Sequence, residues 1–388
     1  MPSATSKNED EITNPGAAAK KELLHLDFLD GIRALCALYV LLGHVWLQVW
    51  PRELGKVPTG IVLLCTRWMS FGHFAVTVFL VISGFCLMLP VVRSGELRGG
   101  VLGFFKRRAR RILPPYYAAM AFSLVLIYTL IGHKTGTHWD VSLPVTARGL
   151  LVHLFLVQNL VHSDQINHAF WSIGTEWQIY FLFPLLIVAW KKFGSVPTTV
   201  AALVVSYGLY VLVNHFKSLH IIAPYYLAMF VLGMFASTLA YSSEEKWVSI
   251  RQRIPWLWGA AALLAVVIAL CAHFSPENPH TVVLDYLVSF VFLGVLVHCS
   301  TELSSRLRQM LSWKPLVFVG GFSYSLYLVH APLIQLVWQY IVNPLHLSST
   351  NTFVLTAALS VAVSLVVAYM FYRVAERPFI SSKTAKSS

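Results

Sequence analysis

Charge is what this sequence lacks most. Asp, Glu, Lys and Arg make up 12% of its 388 residues while hydrophobic types make up 57%, at a mean hydropathy of +0.66. A water-soluble domain of this length needs more charge to cover its surface, so the composition excludes one and indicates a polytopic membrane protein. Cysteine is scarce too. Cys36, Cys65, Cys86, Cys271 and Cys299 form no CxxC, and four of them sit in apolar runs. That excludes a disulfide framework and gives no sign of a zinc site. Acidic residues number 17 against 29 Lys and Arg. The basic excess lies in short segments between apolar runs, which speaks for membrane orientation and against nucleic acid as a partner. Residues 1–25 lack an apolar core followed by a cleavage site, so the expectation is a polar tail from which no leader is removed.

Long apolar runs recur along the rest of the chain and predict an all-α fold, a polytopic integral membrane protein of about ten transmembrane helices. The expected spans are 29–49 and 72–92, a third that starts in the basic cluster 106–115 and ends near Gly132, and a fourth that begins at 170–186. The remaining six fall near 196–214, 221–241, 255–273, 282–299, 315–341 and 353–373. Residues 149–161 are apolar but too short to span, and read as re-entrant or interfacial. With both termini cytoplasmic, the outer segments carry only Arg52, Lys56, Arg67, Lys134, Arg148 and Lys217. Apart from Arg33 in the first helix, all other Lys and Arg fall inside, as the positive-inside rule requires. The expected organisation is a disordered cytoplasmic tail (1–25), one transmembrane domain (26–380) and a short cytoplasmic tail (381–388), with no soluble domain after the last helix.

A few groups inside these runs are ones a bilayer rejects. In DFLDGIRALCALYVLLGHVW, residues 27–46, Arg33 and His44 lie about three helical turns apart on one face, ~16 Å along the axis. An intramembrane ionisable residue is a functional-site signal by default. The plainer reading pairs Arg33 with Asp30 at i+3 and lets His44 bond a neighbouring helix. Glu176 sits in the first two turns of the fourth helix and His330 midway along the ninth. Counted from the helix ends, His44, Glu176 and His330 reach a similar depth, roughly 22 Å above the inner face, and Tyr327 is placed in the same layer. Below it come Arg33 and the cluster Arg107, Arg108, Arg110 and Arg111 at the cytoplasmic mouth. Guanidinium forks bind phosphate bidentately; enforcing topology and contacting anionic lipid headgroups are their other uses. Ser83 and Gly84 allow close helix packing or a local break. His133, His138, His153, His162 and His168 show no metal-ligand spacing and read as loop-surface residues, so no metal is expected. A neutral imidazole with a carboxylate to orient it is suited to take the proton of a hydroxyl during acyl transfer.

Five stretches, in order, resemble the acyltransferase 3 family of integral membrane acyltransferases over nearly the whole chain, Asp27 to Phe379. LDFLDGIRALCALYVLLGH is similar to the family's first-helix signature with its Arg and His, here Arg33 and His44. VFLVISGF, which contains Ser83, is similar to its second-helix segment. Arg108, Arg111 and Pro114 resemble its RxxR element and following proline. FWSIGTEWQIYFLFPLL, with Trp171, Ser172 and Glu176, resembles its WSL-type stretch, and GFSYSLYLVHAPL and ERP its closing motifs. The resemblance implies transfer of an acyl group, commonly acetyl, from cytoplasmic acyl-CoA to a hydroxyl, typically of a cell-surface or exported glycan. It implies His44 as the catalytic centre and Arg33, Arg108 and Arg111 as the residues serving the CoA end. Ala75 and Thr77 depart from the pattern where relatives often carry Gly and an acidic residue, and Val329 where an aromatic is common. These departures bear on the acceptor. The other class that a buried His and Glu would serve is a proton-coupled secondary transporter, although no repeated pair of interrupted helices occurs in the two halves. A non-catalytic assembly or lipid-binding membrane protein is the third, and leaves the Arg33/His44 spacing without a purpose. The outer-half depth of His44 favours acceptor access from outside.

Overall fold

The computed structural model describes residues 26–161, 165–216, 223–273 and 281–380. The two tails (1–25 and 381–388), His162, Lys217 and the first residues of the sixth expected helix, 221 and 222, lie outside the described residues. The described residues are all-α. In chain order the helices are α1 Asp27–Val49, α2 Gly60–Thr66, α3 Phe74–Ser94, α4 Gly100–Leu126, α5 Ala147–Leu154, α6 Trp171–Phe193, α7 Ser195–His215 and α8 Tyr226–Tyr241. They continue with α9 Glu245–Arg253, α10 Trp256–His273, α11 Thr281–Thr301, α12 Arg306–Leu311, α13 Lys314–Gly320, α14 Ser323–Val337 and α15 Ser349–Phe371. Among the described residues nine spans are long and apolar enough to cross a membrane, and ten if α8 and α9, bent by 95°, count as one. The protein is a multi-pass membrane protein.

α1 sits at the centre, packed against α3, α13, α14 and α15. The outer helices face the lipid: α10 buries only Ala260 and Val267, while Trp258, Ile268, Val204 and Met370 are exposed. α3 packs extensively against α8, and the sequence cause is two glycines. A Cβ at Gly84 would fall 1.9 Å from Phe230 O, and one at Gly233 1.9 Å from Val81 O, so the two backbones touch. Of the two uses open to Ser83–Gly84, packing is the one realised, because α3 runs unbroken past them. Its end is a left-handed glycine cap: Gly95, φ +75°, donates its N–H to Val91 O at 2.8 Å.

Three expected elements differ. The ninth span is two helices, because Gly320 must pass the backbone of Asp30 and Ser323 Oγ takes the Gly320 carbonyl at 2.8 Å. The second is preceded by α2 and a 3₁₀ turn over Arg67–Phe71. In 149–161 only α5 is helical, capped by Thr146 Oγ, which accepts from Gly149 N at 3.0 Å. Tyr116 and Tyr117 of α4 hold that segment by donating to the His153 and Leu154 carbonyls at 3.0 and 2.7 Å.

Candidate active site

Two polar cavities lie along α1. The first, with about 900 Å³ of open space, is lined by Arg33, Arg108, Arg111, Glu176, Tyr180 and Tyr324 among others. The second, about 680 Å³, is lined by His44, His73, His138, His168, Trp171 and Arg52 among others. Val76 and Tyr327 belong to both walls. Tyr327 is held in place: its hydroxyl donates to Ala169 O at 2.9 Å and meets Ser172 Oγ at 2.6 Å.

In the arginine cavity Arg33 Nη1 donates to Asp30 Oδ1 at 2.6 Å and Nη2 to Cys86 Sγ at 3.2 Å, so the expected i+3 pair forms. Arg108 and Arg111 share a face of α4 at i and i+3, and both line the cavity. Arg107 and Arg110 are displaced by about 100° around the helix; they are exposed and belong to neither cavity lining, and Arg107 instead donates to Arg98 O at 2.5 Å. The sequence cluster therefore splits into a cavity pair and a surface pair. Arg108 Nε is buried without a hydrogen-bond partner. A buried guanidinium N–H with nothing to donate to is a position where an anionic oxygen fits. Glu176 lies here too, accepting from Tyr180 Oη at 2.6 Å, while Ser83 Oγ is 3.1 Å from the same hydroxyl.

The histidine cavity is assembled from distant segments. His44 Nδ1 lies 2.6 Å from His330 Nε2, and the rings are parallel within 3° with centroids 4.9 Å apart. His330 Nδ1 faces two carbonyls, Tyr327 O at 2.7 Å and Leu326 O at 3.2 Å. Carbonyls only accept, so His330 carries its proton on Nδ1 and, as a neutral ring, offers Nε2 as an acceptor. His44 must then donate from Nδ1, which leaves the lone pair on His44 Nε2 free to accept a proton. The ring that orients His44 is thus His330, while Glu176 lines the arginine cavity and accepts from Tyr180. His168 packs edge-on to His44 with centroids 4.7 Å apart, and His138 lies 4.7 Å from His168. Both were expected on the loop surface, as was His153, which is fully buried. Among the described loop histidines only His133 is exposed as expected. Burial pushes the His168 imidazole well below its ordinary range, with His44, His138 and His330 adding to the effect. Among the described residues no group of three or more His, Cys, Asp or Glu is arranged to hold a metal ion.

Sequence reasoning also missed His73 and Asp285. Asp285 is the only acidic residue of the expected span 282–299, a signal available from the sequence. The loop histidines gave no such signal, apart from the position of His168 just ahead of the WSI stretch.

The family model of the acyltransferase domain, Acyl_transf_3, matches residues 26–373. The chain belongs to the acyltransferase 3 family. This acyltransferase-family chain is similar to Bacillus subtilis YrhL, whose name proposes a peptidoglycan O-acetyltransferase (27% identity, 90% of this chain, 54% of the relative). It is also similar to the O-acetyltransferase OatA of Staphylococcus aureus (24%, 82% and 52%) and the peptidoglycan O-acetyltransferase OatA of Listeria monocytogenes (22%, 90% and 55%). The chain spans about half the length of the curated relatives it matches. No solved structure matches the chain.

Proposed function

We propose that this protein is a membrane O-acyltransferase, acting most naturally as an O-acetyltransferase, that moves an acyl group from cytoplasmic acyl-CoA to a hydroxyl of a carbohydrate or glycan acceptor. The donor occupies the arginine cavity, its phosphates on Arg33, Arg108 and Arg111, and its thioester reaches toward Tyr327. The acceptor occupies the histidine cavity. The observation that carries this reading is the meeting of the two cavities at Tyr327 and Val76, beside a histidine whose Nε2 lone pair is freed by its partner ring. His44 Nε2 takes the hydroxyl proton as the oxygen forms its bond to the thioester carbonyl carbon. Collapse of the tetrahedral intermediate breaks the carbon–sulfur bond, and the departing CoA thiolate receives that proton from the His44 imidazolium. His330 stabilises the imidazolium by accepting from Nδ1. Glu176 orders Tyr180 and Ser83 beside the donor. The name of the relatives' acceptor, peptidoglycan, gives the acceptor class to test first. The charge distribution supports the orientation with the arginine cavity cytoplasmic, the histidine cavity outward and 26–380 working as one transmembrane domain.

The test is CoA release from acetyl-CoA by the purified protein in detergent, with and without glycan acceptors, for wild type and His44→Ala. Loss of acyl transfer in the variant is the expected result. Equal transfer by both proteins would reject this mechanism. Two stacked polar cavities are also what a proton-coupled transporter requires, and substrate uptake into proteoliposomes without any acyl donor would favour that reading instead.

A further inference from the structure

One buried carboxylate has no part in the proposed transfer. Asp285, near the start of α11, is 1% exposed, and a carboxylate in a membrane span persists only with partners or a function. Thr77 Oγ of α3 donates to its Oδ1 at 2.5 Å. His73, at the start of α3, holds Nε2 3.8 Å from the same oxygen. That distance is beyond a hydrogen bond, and His73 Nε2 is buried with no hydrogen-bond partner. His73 also lines the histidine cavity with His44, Arg52 and Trp171. The cavity therefore has two imidazoles, each backed by a buried group from another helix: His44 by His330 of α14, His73 by Asp285 of α11.

The carboxylate decides how His73 presents itself. The Asp285 oxygen near Nε2 favours the proton there, which leaves Nδ1 as the ring's acceptor. One imidazole is enough to activate a single hydroxyl. A second one beside it, with an indole in the same wall, fits a ligand bearing several hydroxyls and an apolar ring face.

We infer that His73, oriented by Asp285 and Thr77, forms a carbohydrate-binding subsite of the histidine cavity that takes a hydroxyl other than the one acylated. Asp285 acts through His73 as a positioning residue. The inference rests on the proposed acyl transfer and specifies its acceptor side.

The experiment is steady-state transfer from acetyl-CoA to a soluble N-acetylglucosamine tetramer by wild type, His73→Ala, Asp285→Asn, Asp285→Glu and the double variant His73→Ala/Asp285→Asn. One lost hydrogen bond to the acceptor corresponds to about a tenfold rise in its KM. His73→Ala and Asp285→Asn are each expected to raise the KM for the tetramer by that order while the KM for acetyl-CoA stays in place. The double variant is expected to match His73→Ala, because Asp285 works through the imidazole, and Asp285→Glu to recover part of the loss. Asp285→Asn keeps the volume and the acceptor for Thr77, so it reports even where His73→Ala fails to fold. An unmoved tetramer KM, or an equal rise in both KM values, overturns the inference while wild-type transfer leaves the acyltransferase reading standing. Absence of any transfer by the wild type overturns that reading, and this inference with it.

Discussion

The arginine cavity and the histidine cavity lie against the same helix and are assembled in different ways. Two of the three cavity arginines stand one turn apart on α4, and the third is tied to Asp30 within its own helix. The histidine cavity takes His44 from α1, His138 and His168 from the segments between α4 and α6, and His330 is bonded to it from α14. Charge for binding can be written into one stretch of sequence, because long guanidinium side chains reach a shared ligand from neighbouring turns. A proton-transfer site needs two rings at hydrogen-bond distance in one fixed tautomer, which only tertiary packing supplies. The first cavity should therefore be more tolerant of small displacements of its parts than the second.

The two cavities should accordingly fail differently. The largest effect is expected from His44→Ala: loss of the base lowers kcat by about 10²–10⁴-fold, while binding of CoA, followed by calorimetry, is retained. A variant that loses CoA binding as well would show that the two cavities are one site. Next comes Arg108→Ala with Arg111→Ala. Charged hydrogen bonds contribute about 1.5–3 kcal/mol each, so the donor KM should rise on the order of a hundredfold with little change in acceptor KM. Arg107→Ala with Arg110→Ala is the matched control, since neither lines the cavity, and should leave the donor KM near wild type.

A smaller effect is expected from His330→Ala, which leaves His44 Nδ1 without its acceptor and frees the ring to adopt the wrong tautomer. Loss of the orienting partner of a metal-bound histidine costs about 10–100-fold, and a loss of that order is expected here in kcat. His330→Asn, whose side-chain oxygen can accept from His44 Nδ1, should recover part of it. Equal kcat values for Ala and Asn would remove His330 from the relay.

This difference between the cavities also decided what could be read in advance. The spans, the i+3 pair of Arg33 and Asp30 and the polar character of α1 follow from periodicity and local spacing, and they match. Which arginines face inward needed the helix phase: Arg107 and Arg110 carry the same composition signal as Arg108 and Arg111 and point elsewhere. The depth estimate placed Glu176 level with His44, but depth along a membrane normal does not fix azimuth, and Glu176 turns toward Tyr180. His138 and His168 were unreadable for a different reason. His168 lies in irregular backbone and His138 opens a short 3₁₀ turn over His138–Ser142, and neither is long enough for a period to say which residues turn inward. Asp285 was readable, as a lone carboxylate within a span, without the identity of its partners Thr77 and His73.

The smallest expected effect concerns stability at the histidine cavity rather than turnover. His168 is buried, its two ring nitrogens have no hydrogen-bond partner, and burial holds its pKa well below the ordinary 6.5. The folded protein keeps this ring neutral, whereas an unfolded chain protonates it as pH drops below about 6.5. Below that value the unfolded state binds the extra proton, so the His168 term destabilises the fold with a slope of at most about 1.4 kcal/mol per pH unit. Above about pH 7 neither state is protonated there and the term vanishes. His168→Gln should therefore flatten the fall in thermal midpoint between pH 6.5 and 5 and leave the slope above pH 7 unchanged. The arginine cavity provides the contrast: Arg108→Gln replaces no imidazole and should leave the pH slope of the midpoint as in the wild type. An identical slope for His168→Gln and wild type would mean that His168 is hydrated or protonated in the fold, and that the cavity around His44 is wetter than its packing indicates.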